Sequence, residues 1–398
     1  MTSVAEKVKN LLSRNIEKAI NKSHLEKSLL SGKKLRVKHG IDPTGEKIHL
    51  GRAVSLWKLR EFQDLGHKIV LIIGDFTAQI GDPSDKLEKR PFLTKVQVEK
   101  NLKNYLPQIG KIINLKKTEV RYNSEWLGKL KFREISELAD VFSVQQMIRR
   151  RNFSERWKKN QEISLRELTY PLMQGYDSVA VKADVEIGGS DQLFNLLAGR
   201  KIQEKYGQKP QDIMTTKMLL GLDGRKMSTS WGNVVNVSDK PDEQFGKIMS
   251  MRDDMIIDYM ELATDMPHDN IVRYRQSMSK SKTNPMMAKF DAAFGVVERY
   301  YGRDKAKQAS LRWDIIFSKN KAADTKLPFL RISSKKTTAL DLVLASGIAK
   351  SKSEARRLIE QGGLEINGFK EKDPNKILNL SGGEILKVGK KQFFRVKI

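Results

Sequence analysis

Residues 37–59 read V-K-H-G-I-D-P-T-G-E-K-I-H-L-G-R-A-V-S-L-W-K-L, and the fold follows from how this stretch is parsed. Leu35 and Val37 alternate with Arg36 and Lys38 in the two-residue period of a strand, and Gly40 to Gly45 is dense in turn formers. Ala53, Leu56, Leu59, Phe62 and Leu65 then recur at helical spacing. Strand, tight turn and helix put His49 and Gly51 at a helix start, where unpaired N–H groups and the positive end of the dipole suit an anion. Gly51 lets a flat group lie against the backbone, His49 can donate to a phosphate oxygen, and Arg52 carries a permanent charge. A histidine at a helix start is also a common capping residue, so this stretch points to phosphate without requiring it.

Working outward, His67 to Asp75 (H-K-I-V-L-I-I-G-D) is a short continuous apolar run bounded by glycines, the pattern of a fully buried parallel strand. Strand, helix and buried strand make a βαβ unit. The expected fold class is therefore α/β, a Rossmann-like doubly wound parallel sheet with ligands at the carboxyl ends of its strands. Ile80-Gly81-Asp82-Pro83-Ser84 follows one such end, with Lys86 and Arg90 close behind, and reads either as a charged ligand site or as an Asx-Pro turn before a basic helix.

Far along the chain, Leu222 to Ser230 (L-D-G-R-K-M-S-T-S) is a loop of turn formers, cations and hydroxyls that could also hold phosphate. H-L-G-R followed in order by K-M-S-T-S resembles the paired signatures of class I aminoacyl-tRNA synthetases, usually H-I-G-H and K-M-S-K-S. The resemblance narrows to the bacterial-type tyrosyl-tRNA synthetases through I-D-P-T-G-E-K-I-H-L-G, I-G-D-P-S-D-K-L-E-K-R, Y-P-L-M-Q-G-Y-D and I-G-G-S-D-Q.

That resemblance implies activation of tyrosine by ATP to tyrosyl-adenylate and pyrophosphate, then transfer to the 3′-terminal adenosine of tRNA(Tyr). By motif, Thr44 and His49 would meet the terminal phosphate, and Lys86, Arg90 and Lys226, on mobile loops, the pyrophosphate. Asp42, Gly51, Gly189, Met227 and Ser228 would line the ATP site, and Asp191 would accept from the ribose. Asp177 would accept from the phenol hydroxyl, while Tyr170, Gln174, Asp82 and Gln192 would surround the amino acid. ATP would arrive with Mg2+, and neither a tightly bound cofactor nor a protein metal site is expected. Three positions depart from the family pattern. Arg52 replaces the second motif histidine, Thr229 replaces the second lysine of K-M-S-K-S, and Lys38 stands where many members carry a tyrosine that touches the substrate, so Lys38 is expected among the tyrosine-binding residues. Arg52 is expected to restore, at the same phosphates, the charge missing at Thr229.

Composition limits the alternatives. The 398 residues suffice for two or three domains, and the formal charge of +26 implies a polyanionic partner or a basic solvated coat. The absence of cysteine removes disulfides, thiolate metal sites and cysteine nucleophiles, and the five histidines show no H-x-x-x-H spacing. Val4, Val8, Leu11, Leu12, Ile16 and Ile20 fall at helical spacing among mixed charges, which reads as an amphipathic helix rather than a signal peptide. The longest apolar run, Ile69 to Ile73, is far short of the roughly twenty residues a membrane span needs. A cytoplasmic protein with no membrane partner is expected.

The remaining chain is assigned in order. Residues 101–161 read as mostly helical, and Val141 to Lys159 mixes Phe142, Val144, Met147, Ile148, Phe153 and Trp157 with arginines, either a partner surface or a covered helix with a basic outer face. The family's insertion here, about residues 101–165, implies a homodimer interface. Gly188 to Gln192 should open a helix ending at Gly207, and Ile213 to Leu220 should be the last strand. The expected domains are 1–236 (N-terminal helix and catalytic domain), 237–318 (α-helical, on the anticodon side), a linker over 319–336, and 337–398. The last shows helices over Ala339–Ser346 and Ser353–Gln361, an Asn367-Gly368 hairpin and terminal strands, resembling the small α+β S4-like RNA-binding domain. Lys350, Lys352, Arg356 and Arg357 lie on or just before its second helix and would meet tRNA phosphates.

Two rival readings remain. A synthetase-like RNA binder with lost or altered catalysis would be marked by Arg52 and Thr229, although His49, Lys226, Asp177 and Asp191 are intact. A synthetase for another aromatic amino acid, such as tryptophan, would have no need for Asp177. A nucleotidyltransferase with an H-x-G-x motif would not explain the C-terminal segment.

Overall fold

The computed structural model describes residues 3–84, 92–317, 327–332, 334–366, 369–389 and 392–398. Lys86, Arg90 and the Asn367-Gly368 turn lie outside them. The chain divides into two compact units, Met1–Ser310 and Leu311–Ile398.

In the first unit a six-stranded sheet runs in the order β1-β6-β5-β2-β3-β4. Its strands are β1 (Ile16–Ile20), β2 (Arg36–Ile41), β3 (Lys68–Ile73), β4 (Glu119–Tyr122), β5 (Val185–Gly189) and β6 (Asp212–Thr216). All neighbours are parallel except β1, which pairs antiparallel with β6. From β2 the chain builds outward through β3 to β4, then returns across the sheet to β5 on the other side of β2. The strand order therefore reverses between β2 and β5, where a doubly wound sheet opens its ligand crevice.

The expected β2–helix–β3 unit is present. The helix Leu50–Asp64 begins after His49 and buries Leu50, Ala53, Leu56, Leu59 and Phe62, while Ile69 to Ile73 of β3 are wholly inaccessible. Sealing both faces of β3 is what allows its unbroken apolar run.

Four local expectations are corrected. The first helix stops at Leu11, Asn15 takes a left-handed turn (φ 61°), and Ile16–Ile20 becomes the edge strand β1 rather than more helix. Pairing with β6 satisfies that strand's open edge, which outweighs a periodicity equally compatible with helix. Within the segment read as helical, Glu119–Tyr122 forms β4 at the other edge, too short and too polar to show a strand period. Gly188 and Gly189 end strand β5 instead of opening a helix; Ser190–Gln192 is a single 3-10 turn and the helix runs Leu193–Lys205. The last strand is also shorter than expected, ending at Thr216.

Helices Pro241–Met249, Ile256–Ala263, His268–Ser279 and Pro285–Tyr301 complete most of the first unit. Pro241 and Pro285 stand at first-turn positions, where a missing N–H costs nothing.

In the second unit, helices Ala339–Ala345 and Lys352–Glu360 pack on a sheet ordered β10-β9-β12-β13-β7. Its strands are β7 (Phe329–Arg331), β9 (Leu364–Ile366), β10 (Phe369–Glu371), β12 (Ile385–Val388) and β13 (Gln392–Lys397); β8 (Lys336–Thr338) pairs separately with β11 (Ile377–Asn379). Ala339, Val343, Ala355, Ile359, Leu364 and Val388 form one core cluster. Burial of Ala355 and Ile359 turns Lys352, Arg356 and Arg357 outward, and Lys350 is also exposed.

Candidate active site

A cleft of about 420 Å³ opens at the carboxyl ends of β2, β3, β4, β5 and β6. Thr44, His49, Gly51, Arg52, Asp82, Tyr170, Gln174, Asp177, Asp191, Gln192, Lys226 and Thr229 all line it, together with Asp42, Gly189, Met227 and Ser228. The two signature stretches meet through the backbone. Leu50 N–H donates to Val235 O and Val237 N–H to Ile48 O, both at 2.8 Å, so the segment following the K-M-S-T-S loop is stitched to the start of the His49 helix.

At one end the floor is a connected polar network. Asp177, on the helix Leu165–Val181, is buried and accepts from Trp126 Nε1 at 2.8 Å and Asn123 Nδ2 at 3.4 Å. Asn123 also donates to Thr77 Oγ1 (3.0 Å), and Thr77 Oγ1 donates to Asp42 Oδ1 (2.7 Å). The Tyr170 hydroxyl donates to Asp42 Oδ2 at 2.8 Å. Gly74 makes this approach possible, because a Cβ there would lie 1.9 Å from Asp42 Oδ1. Burial drives both acids up, Asp177 to about 7 against the opposing Lys38 charge and the Trp126 and Asn123 hydrogen bonds, and Asp42 to about 6 against the bonds from Thr77 and Tyr170. Nearby, Gln192 Nε2 donates to Asp82 Oδ2 at 2.6 Å, and Ser84 N–H to Asp82 Oδ1 at 2.9 Å.

Lys38 corrects the sequence reading. It is not among the cleft-lining residues; its ammonium is wholly buried beneath the Asp177 helix, 2.9 Å from Glu186 Oε1. Side chains alternate along β2, so His39 faces the cleft and Lys38 the opposite layer.

At the other end, His49 caps its helix by accepting from Arg52 N–H at Nδ1 (3.3 Å), which leaves Nε2 to carry the proton. Burial, then the charges of Arg52 and Lys226, lowers this imidazole to about 3, so at neutral pH it is an uncharged donor. Arg52 donates to Thr44 Oγ1 (2.8 Å), the Tyr105 hydroxyl (2.6 Å) and Asp42 O (3.1 Å). Its fork is thus engaged on the β2 turn and not in the K-M-S-T-S loop, contrary to the expectation that it substitutes for the charge absent at Thr229. Lys226 Nζ is 2.8 Å from Asp191 Oδ2, joining the loop to the end of β5. Met227 Sδ lies 3.2 Å from Gly51 N and would crowd any Cβ at Gly51, so in this conformation the thioether covers the glycine surface expected to underlie adenosine.

Sequence reasoning missed Thr77, Tyr105, Asn123 and Trp126. None belongs to a motif quoted from the sequence, and only the fold brings each to an acid or to Arg52. Among the described residues no group of three or more His, Asp or Glu is placed to hold a metal ion, and no helix is long and apolar enough to cross a membrane.

Comparison with known proteins gives the family. Residues 30–318 match the family model for tRNA synthetases class I (W and Y), and residues 340–385 match the S4 domain. The chain is 46% identical over 392 residues to the tyrosine–tRNA ligase of Thermotoga maritima, covering 98% of this chain and 97% of that one. It is 44% identical over 395 residues to that of Dehalococcoides mccartyi, covering 99% of both. Its fold resembles that of the C-terminally truncated mitochondrial tyrosyl-tRNA synthetase of Aspergillus nidulans (TM-score 0.63, 20% identity, 80% of this chain and 95% of that one). A similar likeness holds for the Archaeoglobus fulgidus tyrosyl-tRNA synthetase solved with L-tyrosine (TM-score 0.62, 20% identity, 77% and 100%). Near-complete coverage by relatives of one activity decides for tyrosine over the rival tryptophan reading, and the chain belongs to the class I tRNA synthetases as a member of the tyrosine–tRNA ligase family.

Proposed function

We propose that one end of the cleft selects tyrosine and the other redistributes charge on ATP, so that adenylate forms between them before transfer to tRNA(Tyr). The observation that carries this reading is Asp177, a buried acid at the cleft floor whose oxygens are oriented by Trp126 and Asn123. A phenol hydroxyl donating to that carboxylate satisfies it; phenylalanine leaves it unpaired, at a cost of several kcal/mol. Rejection of phenylalanine on this ground is already a known property of tyrosine–tRNA ligases as a family. Tyr170, Gln174, Asp82 and Gln192 surround the substrate's amino group.

The tyrosine carboxylate attacks the α-phosphorus in line, its new P–O bond forming as the bond to pyrophosphate breaks. The protein's part is positioning and electrostatic stabilisation. Neutral His49 donates from Nε2, Thr44 from its hydroxyl, and Arg52 holds Thr44 in place. Lys226 exchanges Asp191 for the departing pyrophosphate, which frees Asp191 to accept from the ribose hydroxyls. Lys86, Arg90 and Thr229 belong to the same role by motif. Asp42, Gly51, Gly189, Met227 and Ser228 bound the nucleotide, whose Mg2+ arrives with the phosphates as part of the substrate.

The reading extends to the whole chain. Residues 1–236 form the catalytic part and 237–318 the helical part towards the anticodon; the stretch expected as a linker, 319–336, supplies Phe329–Arg331 and Lys336 to the sheets of the second unit, so the RNA-binding domain begins ahead of 337 and meets phosphates through Lys350, Lys352, Arg356 and Arg357. A homodimer formed through about 101–165 would cover Phe132, Val144, Trp157 and Leu165, which are 62–84% exposed; sedimentation tests it. The protein would work in the cytoplasm. The decisive assay is ATP–pyrophosphate exchange with each amino acid offered separately. Exchange with tyrosine alone is expected, and exchange with none, or equally with phenylalanine, overturns the assignment of Asp177.

A further inference from the structure

Lys38 of β2 and Glu186 of β5 are register partners across the point where the strand order reverses, and both side chains are buried, at 0% and 1% exposure. Lys38 Nζ donates to Gln174 O (2.8 Å) and Ser178 Oγ (2.7 Å), and pairs with Glu186 at 2.9 Å. Glu186 in turn accepts from Ser178 Oγ (3.1 Å), from Gln174 Nε2 (3.1 Å) and from Gln211 Nε2. Gln174 and Ser178 flank Asp177 on its own helix, one turn before it and immediately after it. All of the pair's bonds to that helix therefore converge on the turn that carries the tyrosine-selective acid.

A buried ion pair is a weak source of stability, because desolvation offsets most of the attraction and apolar residues of similar volume often serve as well. Its distinctive property is direction. Charge-assisted hydrogen bonds to a backbone carbonyl, an amide and a hydroxyl fix both the rotation and the height of a helix turn, which methyl groups packed in the same space do not.

We propose that the Lys38–Glu186 pair is the positioning device of tyrosine selection: it locks the Gln174–Ser178 turn to strands β2 and β5 so that Asp177 stands where a phenol hydroxyl can reach it. The proposal rests on the reading of Asp177 as the phenol acceptor. Lys38 thereby acts on the substrate through Asp177, without touching it. The charges facing Asp177 are consistent with this role, since after burial Lys38 is the strongest influence on that acid and favours its ionised form, with Glu186 acting the opposite way and less strongly.

The test uses the full chain carrying K38M/E186Q, which removes both charges together and leaves neither unpaired, alongside S178A, which removes only the hydroxyl between them and keeps the ties to Gln174. Tyrosine- and phenylalanine-dependent pyrophosphate exchange gives the ratio of kcat/KM for the two amino acids, and thermal unfolding reports the fold. The double substitution is expected to lower the ratio about tenfold and S178A about threefold, the worth of one well-aligned hydrogen bond and a fraction of one. The change should fall on the KM for tyrosine and not on that for ATP. A cooperatively folded double variant with an unchanged ratio overturns the proposal. If the double variant does not fold, an unchanged ratio in folded S178A does so. D177N separates the two levels: a ratio unmoved by D177N refutes the phenol-acceptor reading, whereas a ratio lost in D177N but intact in the pair variants refutes the positioning role alone.

Discussion

At the tyrosine end of the cleft, Asp177 is buried and already tied through Asn123 and Thr77 to the half-buried Asp42, whereas at the nucleotide end Lys226 and Asp191 are 37% and 24% exposed and bridge each other. The first arrangement stands complete before a substrate arrives. The second is a contact that has to be exchanged for the ligand's own charges. Selectivity benefits from the rigid kind, since a fixed acceptor penalises every substrate that fails to reach it. Charge movement in the transition state benefits from donors that can close on a leaving group. One sheet edge thus supplies a fixed end built on strand termini and a helix, and an adjustable end built on a loop.

The comparison breaks most visibly at Lys226. Lys226→Met should reduce kcat for tyrosine-dependent exchange about 100- to 1,000-fold, as loss of a transition-state donor does, while the KM for tyrosine changes little. A KM for tyrosine that moved in parallel would mean the two ends are not separate. The converse substitution, Asp177→Asn, should lower the tyrosine-over-phenylalanine ratio about tenfold to 100-fold and leave the KM for ATP in place, as read by the same exchange assay.

The buried acid also makes the tyrosine end sensitive to pH. Asp177 is raised from 3.8 to about 7, so the folded chain holds this proton more tightly than the unfolded one. The cost of its ionisation is absent below about pH 4, grows as pH rises, and is fully present above about pH 7. A phenol donor favours the ionised carboxylate, so the KM for tyrosine should fall by up to about tenfold between about pH 6 and about pH 8. The profile should flatten in Asp177→Asn; a slope that persisted there would assign the titration to another group. His49, lowered to about 3, should add no inflection near the ordinary histidine value of 6.5.

The smallest effect concerns Arg52. Lysine keeps the charge but not the fork that joins Thr44 to Tyr105, so Arg52→Lys should raise the KM for ATP about threefold with little change in the KM for tyrosine. A variant indistinguishable from the native chain would show that charge alone is used at this position.

The chain's own order of residues determined the α/β class, the helix start at His49, the buried strand β3, both helices of the C-terminal unit and the joint presence of H-L-G-R and K-M-S-T-S. These are local matters of period, turn chemistry and motif spacing, written within a few residues of one another. Nearly every cleft residue anticipated from the motifs also lines the cleft, because the motifs sit at the strand ends that a doubly wound sheet gathers on one side. Tertiary structure alone decided the rest. It made Ile16–Ile20 a strand by giving it β6 as a partner, and it sent Arg52 to Tyr105 instead of the loop. It also placed Lys38 behind Asp177 and brought Trp126 and Asn123 to that acid from more than 50 positions away. Such partners are chosen by strand order and register, so no window of neighbouring residues carries them. A buried carboxyl acquires its proton affinity from whatever the completed fold packs around it.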